Sequence, residues 1–131
     1  MKRKSKKAFA KKKKEFRYHK VEIITKSGSK KNIWHPSYVF LEKGNVYIYV
    51  SITHSNNVKE TIVIKMKRNP NPLDKRDSYW VAEIKYDTKD RFRRRRDGWS
   101  IDESDDQKIR EMYKKRWFCR SNFFDLLAPE N

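Results

Sequence analysis

The run Val46-Tyr47-Ile48-Tyr49-Val50-Ser51-Ile52-Thr53 constrains the fold more than any other stretch of this chain. Val46, Ile48, Val50 and Ile52 recur at every second position, and Tyr47, Tyr49, Ser51 and Thr53 fall between them. A period of two belongs to a β-strand, whose successive side chains point to opposite faces, so the aliphatic face is core. Lys43-Gly44-Asn45 is turn chemistry, and the β-prone run Ser37-Tyr38-Val39-Phe40-Leu41 after Pro36 makes a hairpin with it. Further strands are expected at residues 21–25, 61–66 and 78–84, the second hairpinned to the 46–53 run. Ser27-Gly28-Ser29 reads as a loop, as does Asn69-Pro70-Asn71-Pro72 through Asp77, because proline offers no amide to a ladder.

One helix is expected from near Ser100. Ser100 and Glu103 have capping-box spacing, and Asp102, Glu103, Asp105 and Asp106 sit at the positive end of the dipole, with Lys114, Lys115 and Arg116 at the other. Ile109, Met112, Tyr113 and Trp117 form its apolar stripe. Several short strands followed by one helix make the chain mainly β, a small barrel with a C-terminal helix packed on it. A length of 131 residues fits one such domain.

The formal net charge is +17, and it is uneven: eleven of the first twenty residues are Lys or Arg, against Glu15 alone. Charge of that density repels itself unless it meets a polyanion, which points to nucleic acid, RNA or DNA. Residues 1–17, including Lys11, Lys12, Lys13 and Lys14, read as a basic arm that is mobile alone and ordered on a phosphate backbone. Residues 18–117 would form the barrel and helix. Residues 118–131, with Phe123, Phe124, Leu126 and Leu127, form a tail apolar enough to pack on the barrel or on a partner. The single cysteine, Cys119, excludes an internal disulfide framework and a cysteine-based zinc site, which suggests a reducing, cytoplasmic setting without metal or cofactor. No apolar run is long enough to span a bilayer, and no membrane partner is expected.

A second basic feature is the run Arg91, Arg93, Arg94, Arg95 and Arg96, set between a strand and Gly98. Guanidinium forks match phosphate oxygens, and Phe92 among them is placed to stack a base. Asp87, Asp90 and Asp97 offer the competing reading of self-neutralisation. Tyr47, Tyr49 and Trp34 have two readings as well, a stacking platform for single-stranded bases or a core or dimer seam, the latter favoured.

Three segments in order carry a family resemblance. They are His35-Pro36-Ser37-Tyr38-Val39-Phe40, then Val50-Ser51-Ile52-Thr53-His54-Ser55, then Ser78-Tyr79-Trp80-Val81 followed by Gly98-Trp99-Ser100-Ile101-Asp102-Glu103. The first resembles the Arg-Pro and apolar strand of the PemK/MazF toxin-antitoxin endoribonucleases. The second is similar to the strand ending in that family's apolar-Thr active-site motif, and the third to its late Ser-x-Val strand, basic loop and Gly-x-Ser-x-x-Glu helix start. The resemblance implies an SH3-like β-barrel that dimerises, meets an antitoxin and cleaves single-stranded RNA without metal. This chain departs from the pattern where the family's catalytic arginine is His35, and where Ser27 to Trp34 replaces a glycine-rich loop.

Metal-independent cleavage needs a base for the ribose 2′-hydroxyl proton, an acid for the departing oxygen and positive donors at the phosphate. His35 supplies a group that titrates near neutrality, Thr53 a hydroxyl to orient the phosphate, and Lys30, Lys31 or the arginine run the charge. His54 and Ser55 follow Thr53 as further candidate contacts, and His19, set among lysines, reads as incidental. His35 and Thr53 read equally well as ordinary strand residues. Beside the ribonuclease stand two other readings, a non-catalytic nucleic-acid binder of a phage or mobile element, and a basic inhibitor of a nucleic-acid enzyme.

Overall fold

The computed structural model describes residues 10–56 and 62–115. Among these residues there are six strands and one α-helix: β1 (Lys11–Ile24), β2 (Lys30–Lys43), β3 (Val46–Thr53), β4 (Val63–Lys65), β5 (Tyr79–Val81), β6 (Lys85–Thr88) and α1 (Glu103–Lys115). The chain is mainly β, a six-stranded antiparallel sheet in the order β1-β2-β3-β5-β4 with β6 also paired to β3, followed by the helix. The expected hairpin of residues 37–41 with 46–53 is present within the longer β2 and β3, turning at Gly44 with φ +58°.

Several elements differ from the sequence reading. Lys11 to Arg17 do not form an arm: they are the first half of β1, with Lys11 opposite Glu42 and Phe16 opposite Tyr38. Alternation explains this, because Phe16 is buried on one face while Glu15 and Arg17 neutralise each other at 2.9 Å on the other. β4 pairs with β5 rather than with β3, whose far edge is already taken by β6 at Val46 to Tyr49 and by β5 at Ile52 and Thr53. The expected strand at 78–84 is broken at Ala82, where the chain bends before resuming as β6. Trp117, the tail after it, Cys119 and the first nine residues lie outside the described residues.

Register assigns the faces, since residues opposite each other in an antiparallel pair share one. Phe16, Tyr38 and Val50 line up across β1, β2 and β3, and with Phe40, Ile48, Ile52, Met66, Trp80 and Ile84 they form the main core. Helix α1 closes that core with Ile109. Each fully buried side chain of this size contributes roughly 2 kcal/mol. The helix starts at Glu103 rather than near Ser100, because Asp102 caps it: its carboxylate accepts from the Ser104 N–H at 3.0 Å and its carbonyl from Asp105 and Asp106. Asp106, 1% exposed, accepts from the Tyr38 hydroxyl at 2.6 Å and from Arg110, which also donates to the Phe40 and Lys13 carbonyls at 2.8 and 2.5 Å.

The opposite face carries Val39, Tyr49 and Lys85 in register, beside the pair His19 and His35. Thr88 still pairs with Val46 on β3, yet Phe92 already bridges to His19 on the outer edge of β1. Four residues reach at most about 14 Å. A flat four-stranded sheet would require about 19 Å. The β1-β2-β3-β6 unit is therefore strongly rolled, and Phe92 fills its inside against Val39, Tyr47 and Tyr49.

Candidate nucleic-acid interface

After β6 a short 3-10 turn (Lys89–Arg91) leads into an extended segment along the outer edge of β1. The Arg93 N–H donates to the Tyr18 carbonyl at 2.9 Å and the Arg96 N–H to the Phe16 carbonyl at 2.7 Å. Gly98, at φ +86°, then turns the chain away in a conformation that glycine adopts without strain. Arg93, Arg94, Arg95 and Arg96 are exposed, and together with Asp97 they line an open basin of about 470 Å³. Two of them are held by aromatic rings. Arg93 lies 4.0 Å over the Trp34 ring, and Arg96 lies 5.3 and 5.6 Å over Tyr18 and Trp99.

Self-neutralisation takes only part of the run. Arg91 is bound to Asp87 at 2.9 Å, whereas Arg95 is 3.7 Å from the exposed Asp97, a pair worth well under about 1 kcal/mol in water. Asp90 accepts from the Thr88 hydroxyl. Phe92 is not placed to stack a base: its ring stacks on His19 at 4.5 Å and meets Tyr47 and Tyr49 edge-on. Tyr47 and Tyr49 are core residues, as the favoured reading had it, and only Trp34, 38% exposed, presents a ring to solvent.

The candidate lysines divide by position. Lys11 to Lys14 occupy the end of β1 near Arg96, but Lys13 is paired with Glu42 at 3.2 Å, which raises its pKa, and Lys14 with Glu103 at 3.0 Å. Lys11 and Lys12 are exposed. Lys30 and Lys31, opposite Ile24 and Ile23, lie at the other end of β1, five or six residues and nearly 20 Å from the level of Arg93. They do not join the arginine basin.

His35 lies two residues beyond the ladder pair Ser37 and Ser51, and Thr53 lies two residues beyond it on the other strand, so the register carries them to one level. Burial holds the His35 imidazole below its ordinary pKa even though a bond to the Ile52 backbone favours the charged form; Lys85 adds to the depression. His35 is thus neutral at pH 7. The Thr53 hydroxyl accepts from the Ser55 N–H at 3.2 Å. His54 takes a different place. It lines a cleft of about 170 Å³ on the main-core face, with Nδ1 donating to the Asp77 carbonyl at 3.1 Å and Nε2 3.6 Å from Asp74.

That cleft was not foreseen. It lies between Tyr18, Pro36, Ile52 and Trp99 on one side and the 69–78 loop on the other. Asn69 and Asn71 brace the loop through side-chain bonds to backbone, and Asp74, chelated by the Arg76 guanidinium at 2.6 and 3.0 Å, is held far below the usual carboxylate pKa. Its members span eighty residues of sequence, so no local motif announces them. A second unforeseen group is the bonded chain of Tyr49, His19, Asp87 and Arg91 inside the roll, with distances of 3.2, 2.8 and 2.9 Å. There burial outweighs the Asp87 charge and lowers the His19 pKa, so His19 is a packed core residue rather than an incidental one.

Among the described residues no group of three or more His, Cys, Asp or Glu converges as a metal site, and no helix is long and apolar enough to cross a membrane. No protein-family model, curated protein or solved structure matches this chain.

Proposed function

We propose that this protein binds single-stranded nucleic acid, RNA in preference to DNA, along the outer edge of β1, in the cytoplasm. The observation that carries the reading is the set of four consecutive exposed arginines, tied to β1 through the backbone N–H groups of Arg93 and Arg96, with Arg95 the one of the four paired to a carboxylate among the described residues. A fixed row of guanidinium forks suits the repeating phosphates of an extended strand, and Trp34 beside Arg93 offers a ring for a base. The rolled β1-β2-β3-β6 unit, bridged from Phe92 back to β1, fits a small SH3-like barrel of the PemK/MazF kind. An antitoxin-like protein and a second copy of the chain are the protein partners this reading carries.

A second reading, metal-independent RNA cleavage, is favoured by one observation: His35 is held neutral at the level of Thr53, the state a general base requires. Incubation with mixed-sequence RNA in EDTA, followed by end-group analysis, separates the two. Cleavage leaving cyclic-phosphate or 3′-phosphate ends, reduced a hundredfold or more by His35→Ala and by Thr53→Ala, supports the enzyme. Intact RNA with a salt-dependent gel shift supports the binder. Intact RNA with no shift in dilute buffer overturns both.

A further inference from the structure

We propose that the cleft beside the arginine basin is a nucleobase subsite, which receives one unstacked base of a strand whose phosphates lie on the arginines. The inference rests on the single-strand reading above and adds to it where a base goes. Its first support is the make-up of the walls. Tyr18 and Trp99 stand edge to face at 6.1 Å on one side, with Pro36 and Ile52 beside them, which suits a flat aromatic ring. The second is a buried polar atom: Ser78, 1% exposed, lines the cleft, and its Oγ has no hydrogen-bond partner among the described residues. A buried hydroxyl without a partner is costly, and a ring nitrogen or carbonyl would satisfy it.

Charge selects the kind of ring. Asp74 and Arg76 cancel within the cleft through their two-pronged pair, so the cleft favours a neutral hydrogen-bonding group over a phosphate. Size agrees, because about 170 Å³ admits a single ring system and excludes a stacked pair. The phosphate belongs next door. Arg96 lies over both Tyr18 and Trp99, so the aromatic wall of the cleft is also the floor beneath a guanidinium of the basin. Base and backbone sites thus share one pair of rings, an arrangement that suits a single unstacked nucleotide.

The test titrates the full chain, labelled with nitrogen-15, with each nucleoside 5′-monophosphate and with ribose 5-phosphate as the base-free control. The nucleotides are expected to shift the Trp99 indole N–H and the Ser78 amide saturably, and ribose 5-phosphate to shift the signals of the arginine segment, with a smaller effect on Trp99 through Arg96 and none on Ser78. Ser78→Val, which removes the unpartnered hydroxyl and narrows the cleft, should reduce the Trp99 response to nucleotides and keep that of the arginines. It should also weaken a short single-stranded RNA about tenfold, the loss of one base stack, with the salt slope unchanged. Equal Trp99 responses to nucleotide and ribose phosphate overturn the subsite, and that comparison needs no variant. RNA binding that keeps its salt slope and is indifferent to Ser78→Val also overturns it while leaving the strand reading intact. Saturable nucleotide binding without strand binding supports the subsite and removes the strand reading instead.

Discussion

His19 and His35 face each other across β1 and β2, and burial lowers the pKa of both. The charged groups around His19 are Asp87, Arg91 and Lys85. An unfolded histidine takes its proton near pH 6.5, above where either folded imidazole does. The unfolded chain therefore binds more protons as pH falls, and stability drops from roughly pH 7 downward until the folded imidazoles titrate too. Melting temperature should decline between about pH 7 and pH 5, and His35→Asn should flatten the slope. Asp87 acts lower on the scale. Burial alone would raise its pKa, but His19, the Thr88 N–H and Arg91 hold it below the usual range, so its contribution is lost only in stronger acid. Arg110 makes a second residue-scale prediction. Arg110→Met leaves the buried Asp106 without its cation and two carbonyls without a donor, and urea unfolding should show a loss of about 3 kcal/mol.

At the scale of elements, the helix start separates a motif from its realisation. Ser100 with Glu103 matches a capping box, but the Ser100 hydroxyl accepts from Arg68 at 3.0 Å and Asp102 does the capping. Asp102→Ala is expected to lower the melting temperature and Ser100→Ala to lower it distinctly less, read by thermal unfolding. β1 teaches a related lesson. Lysines at positions 11–14 obscured a strand because charge runs read as solvated, whereas a strand accepts them when neighbouring elements bring carboxylates: Glu42 of β2 takes Lys13, and Glu103 of α1 takes Lys14. The short β4 was legible as a strand, but its partner was not. The edge of β3 is occupied by β5 and β6, which follow each other closely in sequence, and β4 takes the free edge of β5.

For the molecule as a whole, the basic end of β1 joins fold and charge. Truncation to residue 15 removes the pairs of Lys11 with Glu42 and Lys12 with Leu41, together with the Lys13 carbonyl that holds Arg110. It should melt roughly 4 °C below truncation to residue 11, as a loss of about 1 kcal/mol would give in a domain of this size. If RNA follows the arginine basin, Arg94→Glu with Arg95→Glu should weaken binding far more than Lys30→Glu with Lys31→Glu. The salt slope should then fall by about 0.7 for each phosphate that is no longer neutralised. The sequence by itself determined the strand-rich class, the 46–53 strand with its hairpin, the approximate helix and the cationic runs, because periodicity and charge are local properties of a chain. Only the tertiary structure decided that Phe92 packs on Tyr47 and Tyr49 rather than facing a base, that Lys30 and Lys31 stand apart from the arginines, and that His54, Ser78 and Trp99 share a cleft. Those outcomes depend on how the sheet rolls and which edges remain open, and such non-local competition leaves no periodic trace in the order of residues.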